Sequence, residues 1–218
     1  TVFVGSGGVR TGWRAGVYAS LVLVLVTAGQ LMTASLGLSP RIKLLVQVIA
    51  VFLMIKSGIR IRIDFIPPLA CVVLTFLWMI VMTNGFNLID VMDGLAGGVA
   101  CVSAAALAVI FMLQGESIGV IVCVSLAGAL LGFLRYNRPP AQVYLGDTGS
   151  LLLGFLLGGL AIKCDYTLKN PFGWLTALAI FAVPLFEIVF ISWLRIRRGA
   201  SILAGSRADF ISPRKNRV

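Results

Sequence analysis

Histidine is absent from all 218 residues, and Asp and Glu together number only 8. The first absence removes the commonest general base. The four cysteines (Cys71, Cys101, Cys123 and Cys164) are scattered and form no CxxC pair. Without a histidine to complete a zinc site, they read as small packing residues. Charge of either sign is scarce at 12% of the chain, against about 25% in an ordinary soluble domain. Too little polar surface remains to coat a water-soluble globule. Tandem repeats, low-complexity tracts and a separate soluble domain are also lacking. A cleavable signal peptide is not evident, and the chain opens on Thr1 rather than Met, as expected of a fragment or a processed end.

What is present is apolar sequence. Hydrophobic residues make up 59% of the chain and the mean hydropathy is +1.03. No charge falls between Phe65 and Ile89, or between Gly94 and Gly115. A helix needs about 20 apolar residues to cross the hydrocarbon core, and each of these runs is long enough. The pattern predicts an all-α fold: a polytopic transmembrane helical bundle of about seven spans, with its polar loops on the cytoplasmic face. The spans fall near Ala15–Leu38, Leu44–Ser57, Ile66–Met82, Leu95–Gln114, Ser117–Tyr136, Thr148–Ile162 and Gly173–Leu194. The helical domain is thus 1–194, and 195–218 forms a basic tail. The second and sixth spans are short, which suits tilted or locally thinned packing. Glycine-rich patches such as Gly154–Leu160 suit close helix contact in lipid, and small-residue faces make a homodimer compatible with the sequence.

Seven alternating spans sort the loops into two sets. With Arg135 at the adjoining end of the fifth span, eleven of the 18 Lys and Arg fall on the side holding Ser39–Lys43, Thr83–Gly94, Asn137–Asp147 and the tail. The positive-inside rule puts that set in the cytoplasm. The net charge of +10 therefore reflects loop orientation and anionic lipid, with no nucleic-acid partner expected. On the other side, Gly58–Phe65 alternates Ile59, Ile61 and Ile63 with Arg60, Arg62 and Asp64, the pattern of a short amphipathic strand.

The polar clusters all fall in the first set. Asn84, Asn87, Asp90 and Asp93 recur every third residue, which on a helix gives one gently drifting polar face. A cap and turn would use one such residue, not four. Gly146–Asp147–Thr148–Gly149–Ser150 leads straight into an apolar helix. It offers free backbone N–H groups suited to phosphate and a carboxylate suited to Mg²⁺. Glu187 lies inside a span, where a carboxylate must face protein or water. It reads either as support for a site or as a helix–helix hydrogen bond. The tail carries Arg195–Arg198, Arg207 and Arg214–Lys215. Most of these charges are anchors, and one or two could meet a substrate phosphate.

Two long motifs in order, NxxNLIDxxDGLAGG at Asn84–Gly98 and NxPPAxVxLGDTGSLLLG at Asn137–Gly154, resemble the polyprenyl-phosphate N-acetylhexosamine-1-phosphate transferases, glycosyltransferase family 4. Gly37–Leu45, Val183–Glu187 and Arg195–Gly199 are similar to further family segments, so the resemblance runs from about Gly29 to Lys215. It implies a bacterial inner-membrane enzyme with a cytoplasmic active face. Such an enzyme moves a sugar 1-phosphate from a UDP-sugar to a polyprenyl phosphate, releasing UMP, with Mg²⁺ as cofactor, in cell-wall or surface polysaccharide synthesis. By this resemblance Asp147 binds the metal, Asp90 and Asp93 are catalytic, and Lys43, Asn84, Asn87 and Arg214 bind substrate. Lys43 would meet the pyrophosphate. The family's Asp-Asp pair stands here as Thr33 and Ala34, and Asp209 is followed by Phe210 where the family carries a histidine. The alternative is therefore a catalytically impaired relative that binds nucleotide-sugar, lipid or a partner.

Overall fold

The computed structural model describes residues 40–63, 66–166 and 173–197. The first expected span lies outside them. Seven helices follow in order: α1 (Pro40–Lys56), α2 (Pro68–Ile89), α3 (Leu95–Leu113), α4 (Ser117–Asn137), α5 (Gly146–Lys163), α6 (Trp174–Ile180) and α7 (Ala182–Arg197). Three of them (α2, α3 and α4) are long and apolar enough to cross a membrane, and α6 with α7 makes a fourth if that bent pair is one span. The remaining two, α1 and α5, reach only 17 and 18 residues, in keeping with their short apolar runs. The expected count of seven is visible to this extent.

The last expected span is not continuous. It breaks at Phe181, and the two pieces meet at 70°. The cause is local. Pro184 has no N–H, and its ring clashes with the carbonyl four residues back, which is Ile180, the last residue of α6. Phe181 itself turns inward and is fully buried. It packs edge-on against Trp78 and Phe86, with ring centroids 5.8 and 6.4 Å apart. The break is thus anchored by the core.

Packing follows the small residues. The backbone of α5 lies directly on α2 at Gly154, where a Cβ would come within 2.5 Å of the Met82 carbonyl oxygen. Farther along the same interface, the Trp78 indole donates to the Gly158 carbonyl at 3.1 Å. In the same way α7 reaches α2 at Gly85, whose Cβ would meet the Pro184 carbonyl at 2.9 Å. The α3–α4 pair forms the other large contact. Outward faces stay apolar: Leu69, Val102, Ile118, Ile121 and Leu131 are all largely exposed. Such a surface is unsuited to water and suited to lipid.

The segment expected to form a strand has no regular structure at residues 57–63. Its alternation survives in burial: Ile61 is buried and Arg62 exposed, and the Ile61 N–H donates to the Thr75 hydroxyl at 3.0 Å. The segment packs on α2 through Ile61 and has no neighbouring strand to pair with among the described residues.

Candidate functional site

The polar residues converge on one end of the bundle, where α1 and α5 begin and α2 and α4 finish. Gly146 adopts φ +63°, a left-handed turn that glycine enters without steric cost. This turn delivers Asp147 into the first turn of α5, where the positive end of the helix dipole favours a carboxylate. Lys43, in the first turn of α1, places its ammonium 2.5 Å from Asp147 Oδ2. The pair is partly open, with the Lys43 side chain 25% and the Asp147 side chain 43% exposed. At that exposure it stabilises the fold by about 1 kcal/mol at most, so its interest is chemical. The Asn87 amide donates to Asp147 Oδ1 at 3.3 Å and to the Ser150 hydroxyl at 2.9 Å. Three helices thus meet at one carboxylate.

The expected single polar face of Asn84, Asn87, Asp90 and Asp93 is only half helical. The span expected to end at Met82 continues as helix to Ile89. Asn84 and Asn87 ride on α2 and point to different partners. The Asn84 amide donates to Gln47 on α1 and to the Ile80 carbonyl, both at 2.8 Å. Asp90 is the C-cap of α2. Asp93 lies in the following turn, exposed, where its carboxylate accepts the Ala141 N–H at 3.0 Å.

Two contributors were not singled out by residue-type reasoning. Asn137, buried at the end of α4, accepts from Gly94 N–H at 3.0 Å and donates to the Val143 carbonyl at 2.7 Å. Together with Asp93 it stitches the 90–94 turn to the 138–145 loop. Gln47 is 2% exposed and sits one helical turn beyond Lys43. Its only sequence signal is an amide inside an apolar run, four residues after a lysine. Arg214, Thr33 and Ala34 lie outside the described residues. Glu187 is half-buried in α7, and no hydrogen bond or ion pair is assigned to it among the described residues.

No group of three or more His, Cys, Asp or Glu able to hold a metal occurs among the described residues. An all-protein cation cage is therefore not formed there. The Asp147 cluster suits a different mode. Its partly open carboxylate, the Ser150 hydroxyl and the Asn87 amide are hard-ligand types, and Mg²⁺ commonly takes one or two carboxylates and fills its remaining positions with water and substrate phosphate. The lysine at the same point would meet an anion.

A lipid-facing helical bundle with a charged, amide-rich cluster at one end defines an integral membrane protein with a polar site at a membrane surface. The pattern for glycosyl transferase family 4 matches residues 15–165. The chain belongs to that family. It is 29% identical over 208 residues to the probable undecaprenyl-phosphate N-acetylglucosaminyl 1-phosphate transferase of Bacillus subtilis, covering 88% of this chain and 58% of that protein. It is 34% identical to the undecaprenyl-phosphate alpha-N-acetylglucosaminyl 1-phosphate transferase of Escherichia coli, over 57% of this chain and 35% of that one. Phospho-N-acetylmuramoyl-pentapeptide-transferase of Prochlorococcus marinus is 41% identical over 58% of this chain and 38% of its own length. The chain therefore spans little more than half the length of these relatives at best.

Proposed function

We propose that this chain transfers an N-acetylhexosamine 1-phosphate from a UDP-sugar to a polyprenyl phosphate, with release of UMP, at the cytoplasmic face of a bacterial inner membrane. The observation that carries the reading is the convergence of Lys43, Asn87 and Ser150 on Asp147 at one end of a lipid-facing bundle. Donor and acceptor are both anionic, so neutralising charge as they meet is the main catalytic requirement. Mg²⁺ held by Asp147 would supply that neutralisation at the pyrophosphate. Lys43 binds donor phosphate as a mobile point charge. Asn87 holds the Asp147 carboxylate in place, and Asn84 lines the same pocket from one turn deeper. Asp90 and Asp93 border the nucleotide-sugar side, with Asp93 also holding the 138–145 loop closed upon it. Arg214 in the tail is the remaining phosphate ligand.

The test is UMP release by the purified chain in detergent, with undecaprenyl phosphate, Mg²⁺ and either UDP-GlcNAc or UDP-MurNAc-pentapeptide. Turnover that disappears in Asp147→Asn supports the reading. A folded chain that releases no UMP from either donor rejects it for those donors.

A second reading rests on Thr33 and Ala34, which stand where the family's acidic pair is expected and fall inside the matched range. It makes the chain a relative that binds nucleotide-sugar or lipid without turnover. Tight UMP binding with no product would favour it.

A further inference from the structure

Both oxygens of the Asp147 carboxylate are already engaged. Oδ2 faces the Lys43 ammonium at 2.5 Å, and Oδ1 accepts from the Asn87 amide at 3.3 Å. Mg²⁺ requires carboxylate oxygen at about 2.0–2.1 Å. An ammonium and a dication on one oxygen at these distances repel each other even at a partly open site, which disfavours their sharing it, so one leaves as the other binds.

We propose that Lys43 is an exchangeable counter-ion for Asp147: its ammonium occupies the carboxylate until a divalent cation takes Oδ2, and the displaced ammonium is then free for the donor phosphate. The inference rests on reading Asp147 as the cation ligand. The exchange needs motion of the lysine side chain alone. Gln47, one turn along α1 and buried, is tied to Asn84 on α2 at 2.8 Å, so that part of α1 stays registered against α2 while Lys43 swings. A lysine suits this role, since its charge rides on a flexible four-carbon stem. Asn87 remains at the carboxylate, held also by its bond to the Ser150 hydroxyl at 2.9 Å.

Two consequences follow from linkage. Cation binding must break the ion pair, so the lysine weakens the site for the cation taken alone. An anion that captures the freed ammonium must then tighten the cation, and the cation must tighten the anion by the same factor. Mutual tightening of cation and anion is thus built into the pair.

The experiment is a Mn²⁺ titration of the purified full chain in detergent, followed by the electron paramagnetic resonance signal of free Mn²⁺. Lys43→Met and Lys43→Gln should bind Mn²⁺ about tenfold more tightly than the unaltered chain, the scale of one charge-assisted contact. Lys43→Arg, which keeps the charge, should stay within about threefold, and so should Lys56→Gln, which removes an exposed cation at the far end of α1, roughly 20 Å along the helix from Lys43 and beyond a Debye length. Asp147→Asn should abolish binding. Two neutral variants guard against loss of either one to misfolding. The proposal is overturned if neither neutral variant binds more tightly, if Lys56→Gln tightens the site as much, or if no form binds Mn²⁺ stoichiometrically. Failure here and failure of the proposed reaction are separable. UMP release with unchanged Mn²⁺ affinities sinks the exchange alone, whereas tightened Mn²⁺ binding without UMP release sinks the reaction alone.

Discussion

Three helices supply the neighbours of Asp147, the residue on which the proposed reaction rests. Replacing it with Asn keeps the shape and removes the charge. UMP release should fall by about 10²–10³-fold, the range typical of losing one preorganised electrostatic group, and kcat should carry most of the loss. A residue far from the site allows a pH test. Cys164, just beyond α5, is 1% exposed, and burial pushes its thiol up from 9.0 to about 12. The raised value keeps the folded thiol neutral at pH 8 to 9, where an unfolded one begins to ionise. Cys164 should therefore resist maleimide in the folded chain at pH 8.5 and react in SDS. The same sign means that its contribution to stability is full below pH 9 and is lost as pH rises towards 12. Mass spectrometry of the labelled peptide reads the reactivity, and fast labelling of the native chain would contradict the burial. At this scale Asp147 and Lys43 were legible from their motifs. Gln47 was not, because a single amide in an apolar run has no partner visible in one dimension.

Between helices, glycines divide into those that permit contact and those that do not. A Cβ at Gly154 would come within 2.5 Å of the Met82 carbonyl oxygen and 2.7 Å of Thr83 Cα, all backbone atoms that cannot step aside. Gly154→Ala should destabilise the bundle by about 1–3 kcal/mol, the usual range for overpacking, and lower the Tm in detergent. Gly128 on α4 has nothing within 4 Å of its Cβ position. Gly128→Ala should leave Tm unchanged or raise it, with helix propensity favouring alanine by up to about 1 kcal/mol. Equal effects at the two positions would undermine the α2–α5 packing. Composition alone could not sort these glycines, since both lie in apolar helices with glycine neighbours. The break between α6 and α7 was likewise hidden. Proline does not always interrupt an apolar helix, and here the interruption is fixed by Phe181 entering the core between Trp78 and Phe86.

Across the whole molecule, the testable statement is sidedness. Arg138 and Gln142 are exposed in the loop between α4 and α5, and Glu116 is exposed between α3 and α4. A helix separates these two loops, so they belong on opposite membrane faces. With the native cysteines replaced, a membrane-impermeant maleimide should label Arg138→Cys or Gln142→Cys only from the cytoplasmic side, and Glu116→Cys only from the other. Labelling of all three from one side would refute α4 as a span. The sequence by itself determined the lipid environment, the order and approximate positions of most described helices, and the gathering of the polar motifs at one set of helix ends and loops. All of these follow from runs of apolar residues whose length must match a bilayer and whose flanks must meet water. Only the tertiary structure decided which polar residues touch: Asn84 with Gln47, Asn87 and Lys43 with Asp147, Asp93 with the loop after α4. Those contacts join residues 37 to 104 positions apart. They depend on how closely glycine lets α5 and α7 approach α2, a distance set by backbone contact between helices and not by the periodicity of any one of them.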